Sequence, residues 1–150
     1  MHPILFVDAQ QRHRETPDTF DAPTAGELAS LRRGSLVKLS LLDIERMWFV
    51  VLARLDDRMI VALKNTPAVV REVRYEDPFV CETRHVLDIG PVVGERECVP
   101  LTQDFEKTSE ELAERWKDLT LTPEHRARLE AIVNGKLEPS RNSSTAKLPN

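Results

Sequence analysis

The chain has 150 residues, a formal net charge of −4, 41% hydrophobic and 31% charged residues. That length and mixture fit one globular domain with a real core, and the acidic balance argues against a dedicated nucleic-acid binder, which usually shows a basic face. No apolar run approaches the roughly 20 residues of a membrane span, and Ile4–Val7 is too short for a secretory signal, so a cytoplasmic protein is expected.

Residues 1–23 open with Ile4-Leu5-Phe6-Val7 and then turn polar, with Pro17 and Pro23 as punctuation. They read as a polar N-terminal arm with room for one short strand. A single α+β domain is expected over 24–135. Thr24 and Glu27 form a capping-box signature, and Gly34 is a natural stop, so a short helix is predicted over 25–33. Leu28 and Leu31 give it an apolar edge. Arg32 and Arg33 fall in its last turn, where cations complement the helix dipole.

Strands are predicted at 35–42, 46–55, 58–64, 79–83 and 84–89. In the second, Met47, Phe49, Val51, Ala53 and Leu55 alternate on one face, and Trp48, Val50 and Leu52 keep the other apolar. A strand covered on both sides belongs in the middle of a sheet. Asp56-Asp57 reads as a two-residue hairpin loop, which puts Leu55 opposite Arg58 and Trp48 opposite Asn65. Trp48, Val50, Leu52, Val61, Leu63 and Asn65 would then share one face, and Met47, Phe49, Val51, Ile60 and Ala62 the other. Pro67, Pro78 and Pro91 cannot lie inside a central strand. Val69–Tyr75 reads as a loop or an irregular edge.

The last third changes to a helical period. Thr108-Ser109-Glu110-Glu111 is a second capping box, followed by a stripe of Leu112, Ala113, Trp116 and Leu119. Thr122-Pro123 opens another helix with Leu129, Ile132 and Val133 inward, closed by Gly135. Residues 136–150 carry little apolar bulk and read as a disordered tail. The fold class expected is α+β: a bent antiparallel sheet of about five strands, an SH3-like half-barrel being one form. The C-terminal helical pair, 109–134, packs against it as a lid over one face.

Gly34-Ser35-Leu36-Val37-Lys38-Leu39, Glu45-Arg46-Met47-Trp48-Phe49-Val50, Asn65-Thr66-Pro67 and His85-Val86-Leu87-Asp88-Ile89 carry a resemblance. Over residues 34–89 the chain resembles the YegJ-like family, bacterial domains of unknown function. That family places a Gly-Asp-x-Val turn where this chain has Glu76-Asp77-Pro78-Phe79-Val80. The resemblance implies a bacterial protein and brings no catalytic residue with it.

Residues that bear chemistry point in several directions. Cys81 and His85, four apart on one expected strand, would share a face as a thiol–imidazole pair requires, so a small enzyme using Cys81/His85 is one alternative. No glycine elbow or helix start follows Cys81 to activate it. Cys98 and Cys81 read as reduced packing thiols. His2, His13, His85 and His125 show no ligand spacing, and neither a metal nor a cofactor is expected. Arg32, Arg33, Lys38 and Arg46 are the basic set a nucleic-acid binder would use, the second alternative. Trp48 reads as a plug between the sheet and the stripe containing Trp116. It also reads as a partner anchor flanked by Lys38 and Arg46. Asn65 and Pro67 read as a turn, or as a site whose amide recognises a backbone edge. With no nucleophile motif, phosphate loop or metal spacing, the expected function is a non-enzymatic protein-binding module, of immunity or regulatory type. Its partner-binding candidates are Lys38, Arg46, Trp48, Asn65 and Pro67.

Overall fold

The computed structural model describes residues 5–136 together with Arg141 and Asn142. In chain order these form α1 (Ala9–Glu15), α2 (Ala25–Ala29), β1 (Leu36–Leu41), β2 (Glu45–Leu55), β3 (Arg58–Leu63), β4 (Asn65–Thr66), β5 (Pro78–Glu82), β6 (Asp88–Ile89), α3 (Phe105–Trp116), α4 (Pro123–Val133) and β7 (Arg141–Asn142). The class is α+β. Its five-stranded antiparallel sheet runs in the order β5-β3-β2-β1-β6, and the C-terminal helices pack against it.

As its two-faced apolar pattern requires, β2 is central. Met47, Phe49 and Val51 join one core with Phe6, Phe79, Val61 and Leu63, while Val50 and Leu52 join a second with Ile60, Ala62 and Leu112. The hairpin closes as expected at Leu55 opposite Arg58, but the pairing slips between Val51 and Ala53. Leu52 and Ala53 together oppose Ile60, a bulge that adds one residue to β2. It overturns the expected register. Lys64, not Asn65, donates its N–H to the Trp48 carbonyl, and Val61 and Leu63 share a face with Phe49, not with Val50. The bulge has its own support, because Arg33 donates to the Leu52 carbonyl at 2.8 Å and to the Cys98 carbonyl at 3.2 Å.

Several boundaries differ from expectation for local reasons. No strand fills 84–89. His85 Nδ1 accepts the Glu82 N–H, which turns Thr83–His85 into a 3-10 turn and leaves only β6 to pair with β1. Within the described part of the N-terminal arm, residues 9–15 are helical, because Asp8 caps α1 by accepting the Gln11 N–H. Phe6 is buried and bridges Leu41, with its ring edge-on to Phe49 and Phe79 at 5.7 and 5.8 Å. The Thr24–Glu27 capping box is present, but α2 stops at Ala29, and Arg54 covers the Leu28 and Leu31 carbonyls.

The cap of α3 is Asp104, not Thr108, so the helix begins a turn earlier than the capping signature suggested. Of the helical pair, α3 lies against β5 and reaches the central strand, while α4 packs on the 68–72 turn through Arg128 and His125. Leu112 packs in the second core, whereas Trp116 stacks on Phe79 at 4.6 Å and donates to the Pro78 carbonyl. Thr122 caps α4 as expected, with His125 completing the box. Leu129 and Ile132 face the first core; Val133 does not, being 77% exposed. Of the tail expected to be disordered, β7 pairs antiparallel with β4, and 137–140 and 143–150 lie outside the described residues. No helix among the described residues is long and apolar enough to cross a membrane.

Candidate functional site

Three of the residues singled out from the sequence, Trp48, Asn65 and Pro67, meet at the turn after β3. Asn65, 5% exposed, accepts the Trp48 N–H on its side-chain oxygen. The Glu45 carboxylate, also 5% exposed, accepts the N–H groups of Ala68, Val69 and Val70 at 2.8–3.2 Å. Arg128 on α4 donates to the Ala68 carbonyl, and His125 donates to both Glu72 oxygens at 2.9 Å. His125 uses its other ring nitrogen to accept the Thr122 N–H, which fixes the proton on the nitrogen facing Glu72. Burial opposes the charge on Glu72, but the His125 contact and a backbone hydrogen bond together hold the carboxyl below the usual range. Pro67 is buried in the same turn.

This turn presents almost none of those side chains to a partner. Trp48 is 6% exposed, and Lys38 lies over its ring at 4.9 Å. It does not meet Trp116, which stacks on Phe79 in the first core. The indole packs instead against Gly90, where an added Cβ would come within 3.0 Å of the ring. Arg46 is exposed but lies apart, its guanidinium over Phe20 at 5.9 Å beside a cleft of about 380 Å³ that also contains Lys38, Glu27 and Asp88. The basic set is dispersed as well, since Arg33 is tied to the bulge and Lys38 to the indole.

Nor does the structure bring Cys81 and His85 together as a dyad. Cys81 is buried inside β5, where loss of solvent pushes its thiol pKa sharply up, the wrong direction for a nucleophile. His85 lies past the strand in the 3-10 turn. Cys98 is buried against the Val51 carbonyl, and burial raises its pKa too. Among the described residues no cluster of three or more His, Cys, Asp or Glu side chains is arranged to hold a metal.

A trough of about 800 Å³ lies between α1, the β1–β2 turn and the end of β5. Its floor is apolar, formed by Phe6, Val7, Leu42 and Val80, and its rim carries Asp8, Glu15, Asp43, Glu82, Arg12 and Arg84. Arg84 bridges Asp8 at 2.6 Å and Glu82 at 2.8 Å, and Arg12 meets Asp43 through both guanidinium nitrogens. The Arg84 hydrogen bond holds the Glu82 carboxyl below its usual range. Burial pulls His85 below the ordinary histidine value of 6.5, and the neighbouring Arg84 charge adds to it. The imidazole is therefore neutral at pH 7. Four carboxylates against two guanidiniums leave the rim net negative.

One lip of the trough is strained. Leu42 and Asp43 adopt φ of 55° and 57°, the left-handed region that a branched apolar residue rarely enters. The strain is held by Leu42 donating its N–H to the Leu5 carbonyl and by Arg12 on Asp43. Backbone strain of this kind gathers at binding and switch sites. Sequence reasoning missed the trough because its walls come from three separate segments. One local signal was available: Asp8 followed three positions later by Gln11 is an N-terminal helix signature.

No protein-family model matches this chain, and neither the curated proteins nor the solved structures contain a significant match.

Proposed function

We propose that this protein is a non-enzymatic protein-binding module and that the trough beside α1 receives a basic, partly apolar segment of its partner. The observation that carries this reading is the pairing of an apolar floor with a net negative rim in one open concavity. An apolar centre inside a polar, charged border is the anatomy of a protein interface, and the sign of the rim selects lysine or arginine in the incoming segment.

The alternatives have less behind them. An enzyme working through Cys81 and His85 lacks an activated thiol. A nucleic-acid binder would have to approach with a chain of net charge −4, and of its basic set Arg33 is already bound to backbone carbonyls. The reading places the protein in a bacterial cytoplasm, in line with the proposed kinship to YegJ-like domains and with two free, buried cysteines. An immunity-type or regulatory module is its concrete form: an acidic surface that covers a basic patch on another protein.

Selection of a displayed random-peptide library on the immobilised chain tests it. Enriched peptides are expected to combine lysine or arginine with apolar neighbours and to lose binding when Asp43→Lys cancels the rim's net negative charge. Acidic consensus peptides, or binding indifferent to that substitution, would overturn the proposal.

A further inference from the structure

The edge of β4 is already engaged. Asn65 pairs with Asn142 and Thr66 with Arg141, so a segment from the far end of the chain adds an antiparallel strand beside the turn. The acceptor is rigid before that strand arrives. Its backbone is fixed by Asn65 on Trp48, by Lys64 on the Trp48 carbonyl, by Glu45 on three successive N–H groups and by Arg128 on the Ala68 carbonyl. Pro67 lacks an N–H and bounds the edge at two residues. A preorganised edge loses little entropy on accepting a strand, and strand addition draws its affinity from main-chain hydrogen bonds, not from a particular side-chain set.

We propose that the Asn65–Thr66 edge is an acceptor site for an extended peptide strand and that the chain's own segment around Arg141–Asn142 is its resident occupant. The described occupant pair, Arg141 and Asn142, carries no apolar side chain, and the pairing the structure shows for it is that of the backbone. A ladder of two residues is weak and exchangeable. An extended segment from another molecule therefore binds this edge only by displacing the tail, and the fraction of time the tail is docked lowers that segment's apparent affinity. Asn65 and Pro67, both buried, thereby acquire a role: they shape the backbone that does the gripping. This site is separate from the trough and does not depend on the reading given to it.

Amide hydrogen exchange on the full-length chain, compared with the full-length Arg141→Pro/Asn142→Pro double variant, tests the proposal. Proline at both positions removes the tail's N–H donors while leaving the domain's core untouched. Protection in the 65–66 segment is expected to fall about tenfold in the variant, with β2 and β3 unchanged. A free peptide with the sequence of residues 137–150 should restore that protection saturably in the variant. In the wild type, where the site is filled, it should act only at higher concentration. Equal protection at 65–66 in both chains, or a peptide that restores nothing, would overturn it. Protection that rises with protein concentration would assign the edge to a second copy and overturn the intramolecular assignment.

Discussion

At the Asn65 turn, polar side chains are buried and bond to backbone; along the trough beside α1, they are exposed and bond to one another. Glu45 and Asn65 are each 5% exposed and satisfy main-chain N–H groups that have no ladder partner. Arg84 and Glu82, by contrast, leave about half of their side chains in solvent. The difference matters because a buried acceptor, once removed, strands its donors without water, whereas an exposed ion pair exchanges one well-solvated state for another. The turn therefore holds the fold, and the trough keeps its charges available for something else.

The largest effect that would test this contrast is at Glu45. Glu45→Ala leaves the N–H groups of Ala68, Val69 and Val70 without their acceptor and should cost about 3 kcal/mol in denaturant unfolding. Asn65→Ala removes one side-chain acceptor from the Trp48 N–H, and its expected cost is smaller, about 1–2 kcal/mol. If both melted like the wild type, the turn would not be the structural element described here.

Acid titration sharpens the comparison from the trough's side. His85 has a folded-state pKa below 6.5, so the unfolded chain takes up its proton at higher pH than the folded one. Its contribution to stability is present above about pH 6.5 and is lost as pH falls through the folded pKa. Glu82, also depressed, adds a second loss below the usual carboxylate range. Proton NMR of the imidazole should give a midpoint under 6.5, and denaturant midpoints should decline over the same window. A midpoint at or above 6.5 would mean that the ring is not buried as described.

Asp43→Gly should have the smallest effect on stability. It forfeits an exposed pair with Arg12 but relieves a left-handed conformation that glycine adopts freely, so the net change is expected within about 1 kcal/mol. The same substitution removes one rim carboxylate and should weaken a basic peptide.

Much of the frame was legible in the sequence because it rests on short-range patterns. Alternation at 47–53 placed the central strand, Thr24–Glu27 and Thr122-Pro123 marked two helix starts, and Leu55 opposite Arg58 followed from the turn. The bulge was not legible, since the group that supports it, Arg33, lies far from Leu52 in sequence. Phe6 was undervalued for a similar reason: four apolar residues show no period, and only the assembled sheet gives that ring Phe49 and Phe79 as neighbours. Trp48, Asn65 and Pro67 stood out by residue type, but type alone did not reveal that they face inward. The trough was invisible because Asp8, Asp43 and Glu82 meet only when three segments fold together.

The most direct test of the contrast is calorimetric titration of one library-selected basic peptide into three full-length chains: wild type, Glu15→Lys/Asp43→Lys on the trough rim, and Thr66→Lys at the exposed position of the turn. The predicted result is a loss of about tenfold or more in affinity for the rim variant, an unchanged affinity for Thr66→Lys, and wild-type binding that weakens as salt rises. Retained affinity in the rim variant together with a loss in Thr66→Lys would move the partner face to the turn and contradict the account.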